Sequence, residues 1–290
     1  VSNGIAPYYG NVLIYPSPFD EIHAFLTDQR RTAYVMGGEN GLQLSSVNRI
    51  DYTNDTATAI FRGSLASAVS RHSNNTSISN GYTLGGYYPS PYYTETTLIQ
   101  RINYKNDTAT ASYRGNISVA TNLGSGVGNQ NYGYHALGIT GYNGGYTLSS
   151  NIERLDYSND TNALTWVTSF TAAACGRGPL SNERYGYFVG GDLNYYGSIT
   201  SIERIDYSND TGTIVRSTTD YPLPSWYYNL CTSNNSYGWI SHKEGYPGNL
   251  QKTYRYDFSN DTNGILSRSV EPLSYARYLT TSTGNSHYGY

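Results

Sequence analysis

One phrase returns five times along these 290 residues: an arginine, an apolar residue, an Asp or Asn, an aromatic, one small or polar residue, then Asn-Asp-Thr. The copies occupy 49–56, 101–108, 154–161, 204–211 and 255–262. A period of about fifty residues is longer than that of leucine-rich or most helical arrays and suits a small sheet repeated around an axis. Such a unit cannot bury its apolar surface alone, so the period constrains the architecture before any chemistry is considered.

The fourth repeat, 171–221, shows what the unit contains. Thr171-Ala-Ala-Ala-Cys175 reads as a strand of small residues, followed by a polar loop over 176–183. Tyr185-Gly-Tyr-Phe-Val-Gly-Gly191 reads as a second strand whose glycine pair permits a sharp exit. A third strand is expected over 199–207 and a fourth over 213–217, joined by Ser208-Asn-Asp-Thr211, where Asn and Asp would accept left-handed backbone. Four antiparallel strands per repeat make a propeller blade. Joined end to end, Tyr288-Gly-Tyr290 followed by Val1-Ser-Asn-Gly4 parallels the second strand of the fourth repeat. The expectation is therefore an all-β, single-domain, six-bladed β-propeller of four-stranded antiparallel blades. Its blades fall near 22–65, 66–117, 118–170, 171–221, 222–272 and 273–290 with 1–21, so that the N- and C-terminal segments close the last blade and remove unpaired sheet edges. In that sixth unit Tyr15-Pro-Ser-Pro18 stands where the others have the Asn-Asp-Thr turn, and three strands are all it needs.

Composition narrows the function classes. Charged residues make up 13% of the chain, about half the usual share of about 25%, whereas tyrosine (33) and glycine (31) are over-used. With a net charge of −3 and lysine only at 105, 243 and 252, no basic footprint exists for a phosphate backbone, so nucleic acid is excluded as a partner. No apolar run approaches about eighteen residues, so no membrane span is expected. Cys175 and Cys231 read as buried free thiols rather than a disulfide. No cofactor is expected. The start at Val1 and the stop at Tyr290 read as a processed protein or part of a larger chain, and a symmetric oligomer stays open.

The glycine pair after the second strand, the Tyr-Asp pattern of the third and the period resemble kelch-type propeller repeats, with Trp166 a loose match to the kelch tryptophan. The phrase Glu203-Arg-Ile-Asp-Tyr-Ser-Asn-Asp-Thr211 is also similar to Tyr- and Gly-rich propeller repeats of aquatic bacteriophage virion proteins. The second resemblance implies a virion setting, and neither implies an activity.

Strand alternation puts Arg and Asp of each copy on one face: Arg49 with Asp51, Arg101 with Asn103, Arg154 with Asp156, Arg204 with Asp206 and Arg255 with Asp257. Five copies of such a pair suit ion pairing at blade interfaces better than a ligand site. Each copy also forms an N-glycosylation sequon, at Asn54, Asn106, Asn159, Asn209 and Asn260. Turn geometry explains the same residues, and both readings stand.

The ring faces are expected to differ. The Asn-Asp-Thr turns are placed with the polar loops 28–31, 70–75 and 176–178. The other face receives tyrosines: Tyr8 and Tyr9, Tyr87, Tyr88, Tyr92 and Tyr93, Tyr142 and Tyr146, Tyr195 and Tyr196, and Tyr246. Tyrosine beside Gly and Ser is the chemistry of recognition loops, and mutual packing of the rings is the alternative. The histidines, at 23, 72, 135, 242 and 287, have no metal-ligand spacing, and no nucleophile or phosphate-loop motif is present. The expectation is a non-enzymatic recognition or assembly module, a phage tail, fibre or decoration protein contacting host surface glycans or other virion proteins. A secreted glycan-processing enzyme, needing two carboxylates about 5–9.5 Å apart, and a secreted or cell-surface N-glycosylated adhesion protein are the alternatives.

Overall fold

The computed structural model of the chain describes residues 32–39, 42–54, 56–88, 94–141, 145–193, 197–216, 230–244, 250–261 and 265–267. Within them the chain is all-β and builds a propeller-like series of small antiparallel sheets. Blade 1 contains β1 (Thr32–Met36), β2 (Ser46–Asp51) and β3 (Ile60–Ser64). Blade 2 contains β4 (Ser73–Thr76), β5 (Asn80–Leu84), β6 (Thr96–Asn103) and β7 (Ser112–Thr121). In blade 3, β8 (Ser125–Gly128), β9 (Tyr132–Ala136), β12 (Asn151–Asp156) and β13 (Thr165–Ser169) pair in that order. The short β10 (Ile139–Thr140) and β11 (Thr147–Leu148) form a separate ladder in the β9–β12 connection. Blade 4 is β14 (Gly178–Ser181), β15 (Tyr185–Asp192), β16 (Ser198–Asp206) and β17 (Val215–Arg216). Blade 5 is β18 (Leu230–Ser233), β19 (Tyr237–Glu244), β20 (Leu250–Asp257) and β21 (Ile265–Ser267). Five blades are therefore seen among the described residues. The expected sixth, 273–290 with 1–21, lies outside them.

The first strands line up around the axis, β8 packing against both β4 and β14, and β14 against β18. This corrects the reading of the fourth repeat, in which 171–175 was expected as its first strand. The innermost strand is Gly178-Pro-Leu-Ser181, inside what reads as a polar loop. Innermost strands converge on the axis and leave little room: a Cβ at Gly126 would lie 2.1 Å from the Asn74 carbonyl oxygen. Small and polar residues there reflect crowding, and hydrophobic periodicity does not mark them.

The core lies between blades rather than within one. Tyr82, Leu84 and Ile99 of blade 2 pack with Leu155 and Leu164 of blade 3. Tyr134 and Ile152 of blade 3 pack with Phe188 and Ile205 of blade 4. Leu180, Tyr187 and Ile202 of blade 4 pack with Ile240, Tyr254 and Phe258 of blade 5. Because both faces of a middle strand meet a neighbour, β15 is buried almost throughout. Each fully buried Leu, Ile or Phe adds roughly 1.5–3 kcal/mol.

Every described Asn-Asp-Thr turn is right-handed. Tyr104–Asn106, Tyr157–Asn159 and Phe258–Asn260 each form one 3-10 turn, and the following Asp107, Asp160 and Asp261 have φ of −74°, −75° and −71°. The expectation of left-handed Asn or Asp at these turns is overturned. Left-handed φ falls instead on the glycine pairs, such as Gly85 at +62° and Gly190 at +60°, and on Arg71 and Leu123 at +55° and +58°.

Candidate functional site

The repeated phrase builds an interface, with partners other than those expected. Arg49 does not pair with Asp51. Its Nη1 lies 3.1 Å from Oδ2 of Asp107, the Asp of the next blade's Asn-Asp-Thr turn. Arg101 reaches Asp160 at 2.8 Å, Arg154 reaches Asp210 at 2.7 Å, and Arg204 pairs with Asp261. The strand residue expected as partner caps its own turn instead. Asp156 accepts from the Ser158 amide at 2.8 Å, and Asp51, Asn103, Asp206 and Asp257 accept from the equivalent amides at 2.9 Å. Asx capping of the first turn satisfies an otherwise orphaned donor. No ion pair to Arg255 is present among the described residues.

A tyrosine on the second strand completes each clamp. Tyr34, Tyr82, Tyr134 and Tyr187 stand directly across the ladder from the four arginines. Their hydroxyls donate to the same carboxylates, at 2.9 Å to Asp107, 3.0 Å to Asp160, 2.8 Å to Asp210 and 3.1 Å to Asp261. The aromatic that opens the next turn stacks on the tyrosine: Tyr104 on Tyr34, Tyr157 on Tyr82, Tyr207 on Tyr134 and Phe258 on Tyr187, with centroids 4.8–5.2 Å apart. Arg62 adds a second guanidinium to Asp107 at 2.7 Å. Burial pushes the Asp107 carboxyl up, but hydrogen bonds from Arg62 and Tyr34 outweigh it and hold the group below the ordinary carboxylate range. Burial and the facing carboxylate push Tyr34, Tyr82, Tyr134 and Tyr187 upward, so each stays a neutral donor. The sequence signal for these tyrosines is a small residue followed by Tyr, in step with the phrase. A Cβ at Gly81 or Gly186 would sit 2.8–2.9 Å from the hydroxyl of Tyr104 or Tyr207.

Within Asn-Asp-Thr the roles split. Asp107, Asp160 and Asp210 are buried, whereas Asn54, Asn106, Asn159, Asn209 and Asn260 are all exposed. The side chains of Asn54, Asn106 and Asn159 accept from the Thr hydroxyl two residues on, at 3.3, 3.5 and 3.3 Å.

The opposite end of the blades differs in kind. Segments 70–72 and 176–177 precede the innermost strands, and Ser70 and Cys175 bridge to Tyr87 and Asp192 just past the glycine pairs. These loops therefore belong to the tyrosine-loop face, a correction that follows from the reassigned first strand. Of the tyrosines expected on that face, Tyr87 is buried, with the Arg71 guanidinium 5.5 Å over its ring. Tyr88 is half-buried and Tyr146 is 39% exposed. Tyr8, Tyr9, Tyr92, Tyr93, Tyr142, Tyr195, Tyr196 and Tyr246 lie outside the described residues.

Glu39, Tyr87, Ile139 and Asp192 occupy one equivalent position, immediately after the second-strand exit. Arg71 and Leu123 are equivalent to Gly176, and backbone bonds from Leu123 to Arg71 (2.8 Å) and from Gly176 to Leu123 (2.9 Å) link the three blades around the axis. Arg71 Nε lies 3.8 Å from Glu39 Oε2, which also accepts from Ser70 at 3.2 Å. Asn122 donates to Glu95 at 3.1 Å, and its own Oδ1 is buried without a partner among the described residues. These positions carry acid, base, amide and apolar side chains in different blades, unlike the clamps. Apart from Tyr87, sequence reasoning missed them because what singles them out is their variation at a fixed place.

Arg177 and Glu203 form a fully buried ion pair at 2.9 Å, with Phe170 stacked 4.0 Å from the guanidinium carbon. Glu203 also accepts from the Thr171 amide at 3.0 Å, as Gln100 does from Ser67 and Glu153 from Ser118. This side chain ties down the link between blades. Among the described residues no His, Cys, Asp or Glu group is arranged to hold a metal ion, and no helix is long and apolar enough to cross a membrane. Cys175 and Cys231 are buried thiols outside any disulfide, and burial pushes the Cys175 thiol up to about 12.

The comparisons with known proteins bear on fold. No family model matches the chain, and no curated protein is similar to it by sequence. A solved structure titled "Structure of YjhT" superposes with a TM-score of 0.65, covering 85% of this chain and 86% of that one at 8% identity. The chain shares a β-propeller fold with it. At that identity the likeness shows fold alone, and 296 solved chains match in all, so the architecture carries no activity with it.

Proposed function

We propose that this chain is a non-enzymatic propeller for recognition or assembly, a tail, fibre or decoration protein of a phage particle. Its variable loop face contacts a host surface glycan or a neighbouring virion protein. The observation that carries this reading is the division of labour between repeats. The recurring Arg, Tyr and Asp are taken up by clamps at four described blade interfaces, whereas Glu39, Tyr87, Ile139 and Asp192, of which Glu39 is exposed and the rest are buried, differ at one equivalent place on the tyrosine-loop side. A rigid ring with loops free to vary suits a recognition surface. The phage-repeat resemblance favours the same setting.

The test is retention of the purified chain on immobilised bacterial surface polysaccharides and on separated phage particle proteins. Retention on one of them, falling about tenfold in Glu39→Gln or Tyr146→Ala while the melting temperature holds, is the expected result. Turnover of a polysaccharide, retention on neither, or glycans on Asn106 and its four equivalents in the native protein would overturn it.

A further inference from the structure

The backbone belt that links blades 2, 3 and 4 around the axis runs through Arg71, Leu123 and Gly176, with φ of +55°, +58° and +60°. Glycine takes that conformation without strain, and a residue with a Cβ does not. Gly176 makes the same bond to its predecessor as Leu123 does, so the belt itself needs no side chain. What holds Arg71 in a strained place is therefore the use of its guanidinium. That group is braced rather than closely paired: it lies 5.5 Å over the Tyr87 ring, with Nε 3.8 Å from Glu39 Oε2, and its Nη atoms make no hydrogen bond among the described residues. The side chains of Arg71 and Glu39 are 31% and 39% exposed, open to a ligand at the axial end of the loops. On the far side of Tyr87, Glu95 bridges to it and accepts from the Asn122 amide at 3.1 Å. Backbone bonds from Ser70 to Tyr87 (3.1 Å) and from Gly86 to Thr121 (2.8 Å) make these residues one continuous patch, drawn from blades 1, 2 and 3. The buried Asn122 Oδ1 is an acceptor that the described residues leave unsatisfied.

We propose that Glu39, Ser70, Arg71, Tyr87, Glu95 and Asn122 form a sugar subsite, and that the sugar it takes is uncharged. The inference rests on the recognition reading above and narrows its glycan. Neighbouring hydroxyls of a hexose each donate and accept. The patch answers both needs, with carboxylates as acceptors and a guanidinium whose planar fork of donors is fixed by the ring beneath it. Two carboxylates against one guanidinium leave the patch net negative, which repels uronate, sulfate and phosphate groups. A lysine-bearing protein segment would suit that charge but would leave the guanidinium donors unmatched. Because the contributing blades are locked by clamps, these groups are held in place before the ligand arrives.

Affinity electrophoresis of the full chain tests it, through gels holding neutral dextran, mannan or galactan and through gels holding acidic polygalacturonate or hyaluronate. Retardation by a neutral polymer, relieved by its free monosaccharide, is the expected result. Arg71→Gly should weaken that retardation about tenfold, the effect of one charge-assisted hydrogen bond. Its melting temperature should hold or rise, because the backbone strain leaves with the side chain. A lower melting temperature in Arg71→Gly would make the guanidinium a brace between blades and overturn the proposal, as would unchanged retardation in that variant. Retardation by acidic polymers alone, or retention on a phage particle protein alone, would overturn the uncharged-sugar assignment and leave the recognition reading standing. Retention on no polymer and no particle protein would remove both.

Discussion

At the scale of single residues, the repeats act as internal controls for one another. The hydroxyls of Tyr104 and Tyr207 bond Thr76 and Ser181, each at 2.6 Å. Tyr157 occupies the same position in blade 3, but Gly128 replaces the hydroxyl partner, and the Tyr157 oxygen is buried with no partner among the described residues. A buried polar group left unpaired costs about 1–3 kcal/mol. Tyr157→Phe should therefore leave stability unchanged or raise it, since the ring keeps its stack on Tyr82, and Phe258 already fills this place in blade 5. Tyr207→Phe loses a made bond and should cost about 1 kcal/mol. Urea denaturation of the two variants checks the contrast, and equal destabilisation would show that Tyr157 has a partner.

At the scale of the element, the Asn-Asp-Thr turn joins a blade to its predecessor through one residue and faces solvent with another. Asp210 receives Arg154 and Tyr134 from blade 3, while Asn209 is exposed beside it. Asp210→Ala leaves a buried tyrosine hydroxyl and a half-buried guanidinium unmatched and should cost about 2–3 kcal/mol. Asn209→Ala should stay within about 0.5 kcal/mol, and a similar loss in both variants would mean that the turn's shape, rather than the clamp, holds the blades. The phrase and its period were legible in the sequence because geometry at every interface repeats the same demand. The partner of Arg204 was not, because strand alternation pointed to Asp206 two residues away, while Asp261 lies a full repeat downstream. The innermost strands were illegible for a related reason: Ser73-Asn-Asn-Thr76 is selected by crowding at the axis and carries no apolar pattern. At the loop face the sequence suggested a tyrosine surface, and packing withdrew Tyr87 from it.

At the scale of the whole molecule, the clamps and the interblade cores make each sheet depend on its neighbours, so protonation inside an interface weakens the ring rather than one loop. His135 is buried, with Nδ1 2.6 Å from the Ser73 hydroxyl across the blade 2–blade 3 boundary. His72 has a buried Nδ1 without a partner among the described residues. Burial lowers both, His135 to about 3 and His72 to about 4, whereas an unfolded histidine titrates near 6.5. Between those limits the unfolded chain holds protons that the folded chain refuses. Stability is therefore complete above about pH 6.5 and falls as pH drops, by up to about 1.4 kcal/mol per pH unit for each histidine. A second window opens near pH 4, close to the unfolded carboxylate value of about 3.9. Asp107 and the capping Asp156 and Asp257, all held low in the folded state, lose their contribution there as pH falls toward their folded values. Urea midpoints at pH 7.5, 5.5 and 4.5 should decline throughout, and His135→Gln should reduce the slope between pH 6.5 and 4 by about one proton whatever it does to absolute stability. An unchanged slope in that variant would mean that His135 is protonated as readily in the folded ring as in the unfolded chain, and that its contact with Ser73 is open to water.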